Sequence, residues 1–195
     1  MHLEHLGYLE QAIAQLHQRI DEKIKPYRHH VDLIRSTPGF DTTSAQHVFV
    51  EIGGDIRLFP SEGHLASWAG LCPGNNESAG KRKSGRTTKG NRWLRGALVQ
   101  TAHGASRAKA TYLKSFYHRV AARRGKNRAA VAVAHKQLAS IYGELHDDRP
   151  YQELGEDFFD RLNQKALEQR LVQRLQGLGY RVQLQPQTAA DRAMS

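Results

Sequence analysis

Ser78 lies inside a stretch dense in glycine and basic residues, GNNESAGKRKSGRTTKGNRWLRG over residues 74–96. A serine hydroxyl attacks phosphorus only when its proton is removed and the charge building on the phosphate oxygens is stabilised. Four nearby cations could supply that positive field: Lys81, Arg82, Lys83 and Arg86. The same composition fits a basic loop that only holds a polyanion. The composition fits both a nucleophilic serine and a plain basic loop, and without further information the plain loop is favoured.

The spacing of the other reactive residues excludes two further chemistries. A phosphate-binding ATPase loop needs Gly, four residues and then Gly-Lys-Ser/Thr, whereas Lys81 is followed by Arg82. The 11 histidines are scattered, none with an acidic partner at zinc-binding spacing, and no spaced Asp/Glu set suits a two-metal nuclease. Cys72 is the single cysteine. We therefore expect no metal site, no cofactor and no disulfide in this chain.

The basic residues are concentrated in one segment. Between Ser78 and Gly143 there are 16 Lys and Arg and no Asp or Glu, so the remaining 13 basic residues accompany all 19 acidic ones. A segment with no carboxylate would repel itself unless a polyanion neutralises it. This charge pattern favours nucleic acid over an acidic protein or a membrane surface. No apolar run is long enough to span a membrane and no secretory signal is evident, so we expect a cytoplasmic protein.

The N-terminal residues 3–24 are predicted to form an amphipathic helix. Its apolar positions follow the 3-4-3-4 spacing of a coiled-coil seam: Leu6, Leu9, Ile13, Leu16 and Ile20. Two heptads also fit a helix that packs on its own domain. The pattern fits both a coiled coil and a helix packed on its own domain, and a coiled coil would make the protein a homo-oligomer.

Residues 36–54 resemble a helix-hairpin-helix element. A Pro-Gly turn leads to possible N-caps at Thr42, Thr43 and Ser44, and the following helix ends at Gly53-Gly54. In such elements the backbone N–H groups of the hairpin bind a phosphate. Here Asp41 replaces the usual second glycine, and its carboxylate would repel phosphate. The element is therefore expected to serve the fold more than DNA binding.

The rest of the chain is predicted to be mainly α-helical. Ser61 caps a helix that runs to Gly70, the Gly-rich basic stretch is a loop with a possible hairpin, and a helix resumes from Gly90. Further helices are expected over residues 110–123, 127–146 and 157–177. We predict four regions: a helical connector 1–35, a nucleic-acid-binding domain 36–150, a C-terminal helix 151–182 and a disordered tail 183–195.

Five segments occur in an order that resembles the C-terminal domain of the IS-one-ten type transposases, a family that also includes pilin-gene DNA invertases. They are STPG, EIGG, FPSEGHLASWAGLCPG, ESAGK and KGNRWLRGAL, and the similar region covers about two-thirds of the chain. The resemblance implies that Ser78 attacks DNA and holds it as a phosphoserine link, with Ser84 a weaker candidate.

The same resemblance suggests roles for the neighbouring residues. Lys81, Arg82, Lys83 and Arg86 would position the scissile phosphate, and Lys89, Arg92 and Arg95 would contact the DNA or RNA backbone along the following helix. Asn91 would cap that helix. Trp93 could stack on a base, although an aromatic residue at helical spacing is more often part of a core.

Family members also carry a RuvC-like domain with four acidic residues that bind Mg²⁺, and they are guided by a structured RNA. This sequence lacks that acidic domain, so the resemblance implies Mg²⁺ only through a separate domain. We expect a transposase or site-specific recombinase that binds element ends, target DNA and a guide RNA, but a chain that is catalytically incomplete alone. The alternative is a truncated, non-catalytic remnant that only binds nucleic acid.

Overall fold

The computed structural model describes residues 2–74 and 76–185, with the backbone alone for residues 76–78 and 81–84. The protein is mainly α-helical, as the sequence predicts, with one short two-stranded hairpin among the described residues. The chain divides into two units, one up to Glu156 and one from Asp157 onward.

The first unit contains seven of the helices in the described part of the chain. They are α1 (His2–Ile24), α2 (Arg28–Ser36), α3 (Thr42–Ile52), α4 (Glu62–Trp68), α5 (Arg92–Ala105), α6 (Tyr112–Arg124) and α7 (Lys126–Asp147). Short 3-10 turns lie at Lys25–Tyr27 and Ile56–Leu58. Between α4 and α5 the strands β1 (Asn76–Ser78) and β2 (Lys81–Ser84) pair antiparallel. All of the predicted helices of this unit are present.

Helix α7 is the centre of the core, because α2, α4, α5 and α6 all pack against it. Its buried face alternates small and branched side chains, including Ala130, Val133, Ala134, Leu138 and Ile141. Small residues allow the neighbouring helices to approach closely, and the branched ones fill the space between them. The core therefore fixes where α5 begins, which is the point at which the basic stretch joins the helical body.

Buried polar side chains tie the Pro-Gly turn at residues 37–39 to this core. The Thr37 hydroxyl donates to Glu144 Oε1 at 2.7 Å, and Gln137 Nε2 donates to the Pro38 carbonyl at 2.9 Å. The Thr101 hydroxyl is 3.1 Å from Gln137 Oε1. These bonds join the turn to α7 and, through Thr101, to α5. Burial raises the pKa of Glu144 to about 7, although the bond from Thr37 opposes the shift.

The raised pKa of Glu144 predicts a pH-dependent stability. Between pH 4.5 and about 7 the folded chain holds a proton on Glu144 that the unfolded chain has lost. The free energy of unfolding should therefore fall as pH rises through this window, by up to about 3 kcal/mol, and level off above it. Glu144→Gln should remove this slope and unfold at higher denaturant than wild type above pH 7, measured by urea titration.

The exposed Glu156→Gln provides the matched control, since it removes a carboxylate that lies at the surface. It should reproduce the wild-type pH profile. A Glu144→Gln profile parallel to that of wild type would show that this carboxyl does not titrate between the two states.

Two local predictions were wrong. The N-cap of α3 is Asp41, not Thr42, Thr43 or Ser44. Its carboxylate accepts from the Ser44 N–H at 2.8 Å, and the Asp41 N–H donates to Ser44 Oγ at 3.0 Å. A carboxylate at this end also complements the helix dipole.

The single C-terminal helix predicted over 157–177 is interrupted at Asn163, whose backbone is not helical.

In the second unit the two resulting helices are α8 (Phe158–Leu162) and α9 (Gln164–Gly177). Asparagine favours such a break because its side chain competes for backbone hydrogen bonds. Residues 181–185 have no regular secondary structure. The remainder of the predicted tail, residues 186–195, lies outside the described residues.

The apolar seam of α1 is exposed. The five seam residues have 41% to 55% of their surface accessible, and Leu3 has 83%. The helix is linked to the body by a hydrogen bond from Gln46 Nε2 to Asp21 Oδ1, at 2.8 Å. The structure therefore does not show the seam packed against its own domain.

Candidate nucleic-acid interface

The basic stretch forms a two-stranded arm rather than an open loop. We call residues 71–74 and 76–90 the arm. Near its base the Thr88 N–H donates to the Cys72 carbonyl at 3.2 Å and the Gly74 N–H donates to the Arg86 carbonyl at 2.7 Å. Further out, β1 and β2 continue the pairing. The hairpin that the sequence allowed as a possibility is thus extended by backbone bonds that reach the base.

Ser78 lies at the far end of the arm. Its Cα pairs with that of Lys81, and only Ala79 and Gly80 separate the two. Both turn residues have positive φ, 52° and 73°. Two positive φ values are what the type I′ turn of a tight hairpin requires. The candidate nucleophile is therefore the last strand residue before the turn, and its backbone position is set by the hairpin register.

The base of the arm is held by a close approach of two glycines. A Cβ on Gly90 would lie 2.3 Å from the Gly70 backbone nitrogen and 2.5 Å from the Trp68 carbonyl oxygen. Next to it, the Asn91 N–H donates to the same Trp68 carbonyl at 3.1 Å. The end of α4 and the start of α5 are thus in backbone contact. This contact fixes where the arm leaves the helical body.

Asn91 caps α5, as predicted. Its Oδ1 accepts from the N–H groups of Trp93 at 2.9 Å and Leu94 at 3.1 Å, while its Nδ2 donates to Glu51 Oε2 at 2.7 Å. Glu51, on α3, also lies 3.6 Å from His47 Nε2 through its other oxygen. Sequence reasoning missed Glu51, because a contact between residues 40 positions apart leaves no local pattern.

The cap changes how this helix end can act. Since Asn91 already accepts from the Trp93 and Leu94 N–H groups, these two donors are not available to a phosphate, and the nearby cationic side chains become the main candidates to bind one. Arg92 is exposed and its guanidinium lies 4.6 Å above the Trp93 ring. Trp93 is 60% exposed, so it is not a core residue.

The structure separates the predicted site residues into two groups. Ser78, Lys81, Arg82 and Lys83 lie at the outer end of the arm, whereas Lys89, Asn91, Arg92 and Arg95 lie at its base, with Arg86 between them. The return strand from Lys81 to Thr88 spans about 20 Å if extended. The two groups can therefore contact different phosphates.

Neither end of this interface carries a metal site within the described residues. Among the side chains that the structure describes, those of residues 2–74, 79–80 and 85–185, there is no group of three or more from His, Cys, Asp or Glu placed to hold a metal ion. The ion pairs found among the same residues do not include Lys89, Arg92 or Arg95. None of the described helices is long and apolar enough to cross a membrane.

These observations define a class of protein: a basic, mainly helical unit that carries a serine on a hairpin arm. Residues 31–118 match the model of the Transposase IS116/IS110/IS902 family. That range contains the arm and all of α5. Residues 31–118 are therefore similar to this transposase family.

Relatives with a known description also resemble this chain. The chain is 27% identical to the pilin gene-inverting protein of Moraxella bovis over 154 residues, which is 76% of this chain and 48% of that protein. It is 31% identical to the transposase for insertion sequence element IS1111A of Coxiella burnetii over 126 residues, 60% of this chain and 33% of that protein. The chain thus spans half or less of the length of these relatives.

Proposed function

We propose that this chain is the DNA-binding, serine-bearing part of a transposase or site-specific recombinase. The observation that carries the proposal is the arm: a hairpin within the family-matched segment that presents Ser78 beside its turn, with cations at both ends. Two of the relatives support a reaction on DNA, since one is named for inverting a pilin gene and the other as a transposase.

The proposed chemistry is a phosphoryl transfer from DNA to Ser78. The Ser78 oxygen forms a bond to the scissile phosphorus while the bond from phosphorus to one deoxyribose oxygen breaks. The hydroxyl proton leaves to a base or to water, and the released deoxyribose oxygen takes up a proton. One phosphodiester replaces another, so the link can be reversed by a different DNA end and no energy source is needed.

The cations divide this work between the two ends of the arm. Lys81, Arg82, Lys83 and Arg86 would stabilise the charge on the phosphate under attack. Lys89, Arg92 and Arg95 would hold the backbone at the base of the arm, and this positions the duplex without reading its sequence.

A RuvC-like acidic domain, in the same protein or in a partner, would hold the Mg²⁺, as the resemblance to the family suggests. A guide RNA would share the basic surface.

We also propose that a second copy of this chain pairs with the exposed seam of α1. Analytical ultracentrifugation tests this pairing, and a monomer at micromolar concentration would contradict it.

Salt dependence tests the binding half of this proposal. If five or six phosphates are neutralised, the logarithm of the association constant for duplex DNA should fall with that of the salt concentration at a slope of about −5. The double variant Arg92→Gln/Arg95→Gln should make the slope shallower by about 2. Fluorescence anisotropy with labelled duplex DNA measures both.

The matched control is Arg170→Gln/Arg174→Gln, which removes the same charge from exposed positions of α9. It should keep the wild-type slope. Affinity that does not respond to salt would rule out the electrostatic account of this interface.

A further inference from the structure

A second group of cations lies at the tip of the helical hairpin formed by α6 and α7. Four basic residues, Arg123, Arg124, Lys126 and Arg128, occur within six positions, and all four are exposed. We call them the α6–α7 tip. No acidic residue occurs between Ser78 and Gly143, so the sequence places no carboxylate nearby along the chain. None of the proposed roles at the arm or α5 uses these residues.

The structure leaves the charge of the tip without a partner in the described part of the chain. The ion pairs found there involve other residues, and Arg123 Nε makes one hydrogen bond, to the Arg119 carbonyl at 3.4 Å. Lys126 and Arg128 stand in the first turn of α7, which has no acidic residue and no side-chain cap. Cations at that end oppose the helix dipole. An anionic partner would relieve this repulsion.

The tip is also placed to reach the same duplex as the arm. Cys72 Sγ, at the base of the arm, lies 3.9 Å from His135 Nε2 on α7. Nine residues of helix separate His135 from Lys126, a distance of about 14 Å. Phosphates of about four consecutive base pairs span that length along one DNA strand. A duplex held at the base of the arm could therefore continue to the tip.

We propose that the α6–α7 tip is a second DNA-contacting surface, which binds the phosphate backbone of the duplex a few base pairs from the segment held by the arm. The inference rests on the proposed function in taking DNA as the partner. The tip sequence ARRGKNR contains no aromatic side chain to stack on a base. The contact should therefore strengthen binding equally on all sequences.

The test compares two variants that lose the same charge. The tip variant carries Arg123→Gln, Arg124→Gln, Lys126→Gln and Arg128→Gln; the control carries Lys165→Gln, Arg170→Gln, Arg174→Gln and Arg181→Gln, all exposed in the second unit. Anisotropy titrations with labelled duplex DNA of arbitrary sequence give the salt slope of each. Because the tip contacts add to the five or six phosphate contacts of the arm and α5, the wild-type slope should be steeper than −5 and the tip variant should have a slope shallower than wild type by about 3 to 4. It should also bind at least roughly tenfold more weakly. The control should match wild type.

A conservative variant guards against loss of folding. Arg123→Lys, Arg124→Lys and Arg128→Lys keep the charge and should keep the wild-type slope. A tip variant with the wild-type slope overturns this inference alone, as does a loss seen with an RNA hairpin probe but not with duplex DNA. A wild-type chain that fails to bind duplex DNA overturns the proposed function as well.

Discussion

Replacing Ser78 with alanine is expected to abolish strand cleavage while leaving DNA binding unchanged. Loss of the nucleophile removes the step that forms the covalent link, so the cleavage rate should fall by on the order of 10⁴-fold or more. Binding depends on cations that the substitution does not touch, so the salt slope should stay as in wild type. The rate is measured on labelled element-end DNA with the RuvC-like domain, Mg²⁺ and guide RNA supplied.

The arm provides its own control in Ser84. This serine has the same chemistry but its Cα pairs with that of Asn76, away from the turn, whereas Ser78 is the strand residue next to it. Ser84→Ala should cleave at close to the wild-type rate. If Ser84→Ala loses cleavage and Ser78→Ala retains it, the two serines have been assigned the wrong way round.

Gly90→Ala is expected to have a large effect on stability. The added Cβ would meet three backbone atoms at 2.3 to 2.6 Å, belonging to Gly70, Trp68 and Ala69, and backbone cannot rotate away as a side chain can. Separating α4 from α5 to admit it should cost about 3 kcal/mol or more. Thermal unfolding followed by circular dichroism should show a Tm lower by roughly 2–4 °C for each kcal/mol.

Gly96→Ala is the matched control for this change. It adds the same methyl group six residues further on, at a position of α5 where nothing lies within 4 Å. Alanine is the better helix former, so this variant should be more stable by up to about 1 kcal/mol. A Gly90→Ala protein as stable as wild type would mean that the contact between the ends of α4 and α5 is looser than the structure shows.

The helices were predictable because each rests on a local pattern. Apolar spacing located α5 and α7, and the cap signals Ser61 and Asn91 were read correctly, since an N-cap acts within three residues of itself. The sequence pattern predicts that Asp41 is an obstacle to phosphate binding, but it does not predict that Asp41 caps α3. Both properties follow from one carboxylate placed at a helix N-terminus.

The features that were missed depend on contacts between distant residues. The hydrogen bond from Asn91 to Glu51 and the buried bond from Thr37 to Glu144 join positions 40 and 107 residues apart. Local patterns carry no trace of such pairs. The arm is an intermediate case: its composition indicated a turn, but its register depends on bonds between positions such as Cys72 and Thr88.

The attachment site of the DNA tests the central claim most directly. Covalent adducts would be trapped with element-end DNA and the RuvC-like domain, digested with trypsin and a nuclease, and analysed by mass spectrometry. Trypsin places Ser78 in the peptide 58–81 and Ser84 in the separate peptide 84–86, because basic residues fill the interval between them. We expect a nucleotide remnant on the first peptide, located at Ser78. A remnant on any other residue, or no adduct from a protein that still binds DNA, would contradict the account and leave the arm a surface that only holds nucleic acid.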